Sequence, residues 1–116
     1  MELTVEFVFS AAHHLDEADT RCRTMHGHDY RLLVTVDGPV READGMVMDF
    51  HEIDRIVEQH VVQELEGREL NEILPTPTAE RMAEWIRDRL KPLLPGLSRL
   101  TIYETPRYRV TLGVDR

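Results

Sequence analysis

Apolar and polar residues alternate along the first part of the chain. Over residues 2–10 most polar side chains lie on one face, and the other face collects Leu3, Val5, Phe7 and Phe9. A period of two residues is typical of a half-buried β-strand. Three further strands are predicted at residues 30–37, 98–105 and 108–114, and a short extension of the sheet is expected at residues 45–48.

Two segments between the second and third predicted strands repeat their apolar residues at helical spacing. The first begins at Asp49, three residues before Glu52, as in an aspartate version of the capping box, and Gly67 ends it. Thr78 caps the second, and Pro92 stops it. The apolar stripe predicted for the first helix is Phe50, Ile53, Ile56, Val57, Val61 and Leu65. The buried face predicted for the second is Met82, Ile86 and Leu90, with Trp85 beside it.

This order of elements predicts an α+β fold. When two strands, two helices and two further strands follow one another, the four strands can form one antiparallel sheet with both helices packed on one face. The opposite face still carries apolar residues such as Val8 and Leu33, so we expect another subunit to cover it. Residues 1–116 are expected to be a single domain, because this length lies within the usual range for one.

Composition excludes several classes of partner. The net charge of −8 argues against nucleic acid, because phosphate backbones are bound by basic surfaces, and an anionic substrate would need a local basic patch. No apolar run approaches the ~20 residues of a membrane span. The first residues also lack the pattern of a signal peptide. The single cysteine suits a reducing compartment, so the expected location is the cytoplasm.

Residues with metal-binding chemistry concentrate between residues 9 and 30, which hold four of the six histidines. Side chains two residues apart in an extended segment point to the same side, so His26 and His28 project together. His13 continues the apolar face of the first strand, and we expect it to join them in preference to His14. Three imidazoles with an open fourth position are the ligand set of a catalytic zinc.

Cys22 has two interpretations that local spacing leaves open. Beside a metal, and flanked by Arg21 and Arg23, its thiol would have a lowered pKa and act as a base or nucleophile. Alternatively, it completes a closed zinc site of one thiolate and three imidazoles.

Six motifs follow one another along nearly the whole chain. They are Phe9-Ser10-Ala11-Ala12-His13, the run from Cys22 through His26-Gly27-His28 to Tyr30, Met48-Asp49-Phe50, Leu70-Asn71, Pro77-Thr78-Ala79-Glu80 and Tyr103-Glu104-Thr105. In order and spacing they resemble the family of 6-pyruvoyltetrahydropterin and 6-carboxytetrahydropterin synthases. The resemblance implies the tunnelling fold, in which three subunits join their sheets into a barrel. Two such trimers stack into a homo-hexamer with active sites between subunits.

The resemblance also implies roles for individual residues. The family's three zinc ligands match His13, His26 and His28. Cys22 matches the catalytic thiol, and Thr78 matches a position that lines the pterin pocket. Glu104 matches the carboxylate that anchors the pterin, which can accept paired hydrogen bonds from the 2-amino group and N3–H.

The chain departs from the family pattern at one catalytic position. Where the family has Leu-Asp-His before its Leu-Asn, this chain has Leu65, Glu66 and Gly67, so the histidine that works with the cysteine in proton transfer is missing. A general acid–base group typically contributes roughly 10²–10⁴-fold in rate. Glu66, His14 and Arg68 are candidates to replace it, and we expect Glu66 to act with Cys22 in catalysis.

The resemblance implies an enzyme with a small pterin substrate. The first expectation is a zinc-dependent lyase that converts 7,8-dihydroneopterin triphosphate to 6-carboxy-5,6,7,8-tetrahydropterin, for the synthesis of deazapurine tRNA bases such as queuosine. The alternatives are formation of the 6-pyruvoyl product, an aldolase-like cleavage of the pterin side chain, and a pterin-binding homologue whose activity is altered or lost because of Gly67.

Overall fold

The computed structural model describes residues 1–16 and 20–115, and its centre is one antiparallel sheet in the order β1-β2-β3-β4. The strands are β1 (Glu2–His13), β2 (His26–Asp37), β3 (Leu97–Tyr103) and β4 (Arg109–Gly113). The predicted four-stranded antiparallel sheet is therefore confirmed. The extension expected at residues 45–48 is wrong. The chain turns there, with Arg41 N–H bonded to the carbonyl of Met46 and Gly45 at a φ of 72°.

β1 and β2 are longer than the alternation predicted, because they pair along their whole length. The register runs without a break from the pair Glu2 and Asp37 to the pair His13 and His26. His13, His26 and His28 consequently lie on the strands themselves. Each strand is 12 residues long.

The first predicted helix spans three consecutive helical elements. They are α2 (Phe50–Val57), a π-helical turn (Glu58–Val62) and α3 (Gln63–Leu65). Asp49 caps α2 as predicted, although its carboxylate accepts from the amide of His51. The second predicted helix is α4 (Ala79–Leu90), and the hydroxyl of Thr78 accepts from Arg81 N–H at its start.

The π-helical turn follows from the spacing of the apolar stripe. The buried residues Ile53, Val57, Val61 and Leu65 are four apart, and four residues overshoot one α-helical turn by about 40°. A wider turn brings later members back towards the sheet. Phe50 was predicted in this stripe, but its position in the first turn leaves it 54% exposed.

Two short elements were not predicted. The segment from Asp16 to Thr24 was expected to be a loop, but it contains a one-turn helix, α1 (Thr20–Arg23); residues 17–19 lie outside the described part of the chain. A 3₁₀ turn (Leu70–Glu72) follows α3. In the described part of the chain, every helix is too short or too polar to cross a bilayer.

The helices cover one face of the sheet, as predicted. α4 packs on β3 and β4, whereas α2 and α3 pack on β1. The core includes Phe7, Phe9, Tyr30, Leu32, Leu100 and Ile102. The other face is largely polar, with ion pairs between Glu6 and Arg31 and between Glu2 and Arg99, and Val8 on it is 62% exposed. Its coverage by another subunit stays a prediction.

Candidate active site

The β1–β2 register brings three histidines to one end of the sheet. His13 lies directly opposite His26, and His28 lies opposite Ala11, so all three imidazoles share the helix-covered face. One ring nitrogen from each lies within 4.8 Å of the other two. We call His13, His26 and His28 the histidine triad. The predicted convergence of these residues is therefore present in the structure.

Backbone carbonyls fix the tautomers of two members of the triad. The Nδ1 of His13 lies 2.9 Å from the carbonyl oxygen of Pro77, and the Nδ1 of His26 lies 2.7 Å from that of Thr24. A carbonyl oxygen only accepts, so each neutral ring carries its proton on Nδ1 and presents a lone pair at Nε2. These two Nε2 atoms are 3.0 Å apart. In metal sites, a histidine typically binds the metal through one ring nitrogen and donates the N–H of the other to a carbonyl or carboxylate. His13 and His26 have this arrangement, because their Nε2 atoms face each other and their Nδ1–H groups bond carbonyls.

Burial favours the neutral, metal-binding form of His13 and His28. His13 is 0% exposed, and desolvation lowers its pKa from 6.5 despite opposing contributions from the carbonyl of Pro77 and from Glu104. Desolvation also lowers the pKa of His28. Behind them, burial raises the pKa of the Tyr30 hydroxyl above its ordinary value, with a smaller contribution from Glu104. An imidazole that is already neutral needs no proton release before it binds a cation.

His14 faces away from the triad, as the alternation predicted. Its Nδ1 lies 2.8 Å from a carboxylate oxygen of Asp16. Its backbone is held by Asn71, whose side-chain oxygen accepts from His14 N–H at 2.9 Å and whose NH₂ donates to His14 C=O at 3.1 Å. The sequence pointed to the pair Leu70-Asn71 only as a motif, and this clamp beside His13 was missed.

Cys22, on α1, is partly exposed and lies outside the group of potential metal donors in the described residues. Its backbone carbonyl accepts from Leu15 N–H at 2.7 Å, which ties α1 to the end of β1. The catalytic role predicted for its thiol stays a prediction.

The segment from Glu66 to Glu69 runs along the outer edge of β1. Glu66 Oε2 accepts from the amide of Ser10 at 2.8 Å, and the amide of Gly67 donates to the carbonyl of Ser10 at 2.7 Å. The carboxylate predicted to act in catalysis thus has a structural partner. Gly67 adopts a φ of 70°, and a Cβ there would meet nothing within 4 Å. It lines a groove of about 370 Å³ together with His28.

Glu104 follows β3 and continues the inward alternation of Leu100 and Ile102. Its Oε1 lies 3.4 Å from His13 Nε2 and 3.7 Å from His28 Nε2. The residue predicted to anchor a pterin therefore adjoins the triad itself. Thr78, which caps α4, also lines a groove of about 340 Å³ with His14 and Asn71.

Comparison with known proteins agrees with this geometry. Residues 2–113 match the family model described as 6-pyruvoyl tetrahydropterin synthase. The chain belongs to the 6-pyruvoyl tetrahydropterin synthase family. The resemblance drawn from the six motifs is thereby confirmed.

Members of this family with different names are similar to the chain. It is 41% identical over 91 residues to the dihydroneopterin monophosphate aldolase of Pyrococcus furiosus, covering 76% of this chain and 77% of that protein. It is 36% identical over 107 residues to the 6-carboxy-5,6,7,8-tetrahydropterin synthase of Synechocystis, covering 86% and 83%. The Caenorhabditis elegans 6-pyruvoyl tetrahydropterin synthase structure superposes with a TM-score of 0.86 at 27% identity, covering 99% of this chain and 97% of that one.

Proposed function

We propose that the protein is a zinc-dependent lyase that cleaves the side chain of a phosphorylated 7,8-dihydroneopterin. The observation that carries this proposal is the convergence of three imidazoles beside one carboxylate, Glu104, in a chain whose similar proteins are named as pterin enzymes. Three nitrogen donors with one further position suit zinc, which takes four ligands of this type. Bound there, zinc would act as a Lewis acid towards the hydroxyls of the substrate side chain.

The other residues of the site receive complementary roles. Both oxygens of Glu104 accept hydrogen bonds from the 2-amino group and N3–H of the pterin, which fixes the orientation of the ring. Thr78 lines the ring pocket. Cys22 removes and returns a proton on the side chain, as a thiolate near a cation can. Glu66 is a second candidate for proton transfer, although the amide of Ser10 already occupies one of its oxygens.

The reaction we favour is the aldol-type cleavage of the bond between C1′ and C2′. Cys22 takes the proton of the 2′-hydroxyl, C2′ becomes the aldehyde carbon of glycolaldehyde phosphate, and the bonding electrons move to C1′, conjugated with the N5=C6 imine. The thiol then returns its proton to C1′, which yields 6-hydroxymethyl-7,8-dihydropterin. One acid–base group is enough for this sequence. It therefore fits a chain in which Gly67 stands where the family's catalytic histidine would be.

Formation of 6-carboxy-5,6,7,8-tetrahydropterin from the triphosphate is the second candidate. The 36% identity to a synthase of this name favours it. Elimination of triphosphate needs additional proton transfers along the side chain, and the missing histidine would serve these in other members of the family. We therefore expect little or no formation of 6-carboxy-5,6,7,8-tetrahydropterin or of the 6-pyruvoyl product.

A substrate panel separates the candidates. We expect the zinc-loaded protein to release glycolaldehyde phosphate from dihydroneopterin monophosphate, detected as an aldehyde adduct by mass spectrometry. Release of triphosphate from dihydroneopterin triphosphate, followed by ion chromatography, would instead support the synthase. Pterin binding without turnover of either substrate would contradict the lyase proposal and favour a binding protein.

A matched pair of substitutions tests the role of the missing histidine. Gly67→His should gain triphosphate elimination, whereas Gly67→Asn should not, although asparagine tolerates the same backbone conformation. The open space at a Cβ here allows either side chain. If both variants behave alike with the triphosphate, the absent histidine does not explain the choice of reaction.

Metal stoichiometry tests the zinc site independently of turnover. We expect about one zinc per chain by mass spectrometry, lost in His26→Ala and His28→Ala and retained in Cys22→Ala. The exposed His51 supplies the control, since His51→Ala should keep the metal. Loss of zinc in Cys22→Ala would support the closed site with sulfur as a ligand.

We also propose a homo-hexamer of two stacked trimers acting in the cytoplasm. β1 and β4 are the edge strands of the sheet, and outside the end of β1 that the segment from Glu66 to Glu69 covers, we expect them to join neighbouring copies. Light scattering should give six times the chain mass of 13.5 kDa. A monomer in solution would contradict this assembly.

A further inference from the structure

Glu104 lies beside two of the three triad nitrogens, at distances close to those between donors to one metal ion. Zinc bonds to nitrogen and oxygen of about 2.0–2.2 Å imply roughly 3.3–3.5 Å between neighbouring donors in a tetrahedron. The distances observed are 3.0 Å between the Nε2 atoms of His13 and His26, 3.4 Å from Glu104 Oε1 to His13 Nε2, and 3.7 Å from Glu104 Oε1 to His28 Nε2. The carboxylate oxygen thus has the spacing of a neighbouring donor to His13 and to His28. Among the described residues, the group whose donor atoms all lie within 4.8 Å of one another holds the three histidines without Glu104, so the carboxylate would have to move towards His26 to complete a tetrahedron.

The two ring nitrogens of His13 have different neighbours. Its Nδ1 lies 2.9 Å from the carbonyl oxygen of Pro77, which leaves Nε2 as the ring nitrogen that faces Glu104. A carboxylate oxygen and a bare imidazole nitrogen repel one another unless a cation lies between them. The contact from Glu104 to His28 is too long for a hydrogen bond. A metal ion shared by these atoms would be a partner for each of them.

We propose that Glu104 is the fourth donor to the metal in the substrate-free protein and leaves the metal when a pterin ring binds. This inference rests on the proposed zinc site. One carboxylate cannot serve both partners fully, because the ring needs both of its oxygens. Arrival of the ring therefore frees a coordination position for the side-chain hydroxyls of the same substrate. The site is closed at rest and opens only when its substrate is held.

The exchange couples ring binding to metal binding. A pterin without a side chain competes with the metal for Glu104 and offers no hydroxyls in return, so it should weaken metal affinity. By linkage, metal should weaken binding of this ring by the same factor. A substrate that has its side chain should not weaken metal binding in this way, because its hydroxyls replace the carboxylate at the metal.

The experiment uses the protein loaded with cobalt(II) and with zinc. Zinc affinity is measured by competition with a chelator, and cobalt coordination is followed by visible absorption. Glu104→Gln should lower the affinity for zinc about tenfold or more and should shift the cobalt spectrum. Loss of a residue that only supports a metal ligand already lowers metal affinity by about this factor, and loss of a ligand should do at least as much. Glu52→Gln, an equal charge change at an exposed position on α2, should match the wild type in both.

A second arm uses the unmodified chain and does not depend on the folding of any variant. Adding unsubstituted pterin to the cobalt-loaded protein should change its spectrum, and the ring's fluorescence reports its binding. An unchanged spectrum at saturating pterin, or wild-type zinc affinity and cobalt spectrum in Glu104→Gln, would overturn the inference. If His26→Ala still abolishes metal binding, the proposed zinc site survives that result. Absence of metal binding by the wild type would overturn both.

Discussion

Replacing Gly67 by alanine isolates the backbone strain that any side chain must bear at this position. Gly67 has a φ of 70°, where an L-residue loses roughly 1–2 kcal/mol because its Cβ approaches the carbonyl oxygen that follows. The new Cβ would meet nothing within 4 Å, so no packing term offsets or enlarges that loss. The expected destabilisation of Gly67→Ala is therefore about 1–2 kcal/mol.

Two other glycines provide matched controls. Gly45 has a φ of 72° with open space around its Cβ position, so Gly45→Ala should be destabilised equally. Gly113 also has open space but lacks a positive φ, and alanine there should be neutral or stabilising by up to about 1 kcal/mol. Urea denaturation of the metal-free proteins, followed by circular dichroism, gives the free energy of unfolding of each. If Gly67→Ala resembles Gly113→Ala, the reasoning is refuted, because the segment then relaxes to a negative φ.

Two further predictions concern the triad and its support. Since burial lowers the pKa values of His13 and His28 in the folded metal-free protein, the unfolded chain binds more protons below about pH 6.5. The contribution of these two histidines to the free energy of unfolding should be fully present above pH 6.5 and decline as the pH falls to 5.5. Equal urea midpoints at pH 7.5 and 5.5 would contradict this. Asn71→Ala leaves the N–H and C=O of His14 without their partner and should lower the free energy of unfolding by about 1–3 kcal/mol. An unchanged urea midpoint in this variant would show that water replaces the clamp.

The local pattern of the sequence was sufficient for most of the fold. Alternation in β1 determined that His13 shares the buried face with Phe7 and Phe9, and the spacing of His26 and His28 determined that these two project together. Helical periodicity identified both main helices and their caps. These features depend on neighbours a few residues apart, for which the periods of strand and helix are fixed by backbone geometry.

Features that depend on distant segments were decided only by the tertiary structure. The pairing of His13 with His26 is a register, which forms across the intervening residues and has no local signal. The bond from Glu66 to Ser10 and the approach of Glu104 to the triad likewise join segments more than 50 residues apart. The sequence by itself thus determined most of the side chains that face inward, with Phe50 as an exception. The folded sheet decided which of them meet, because contact between remote residues requires the whole chain to pack.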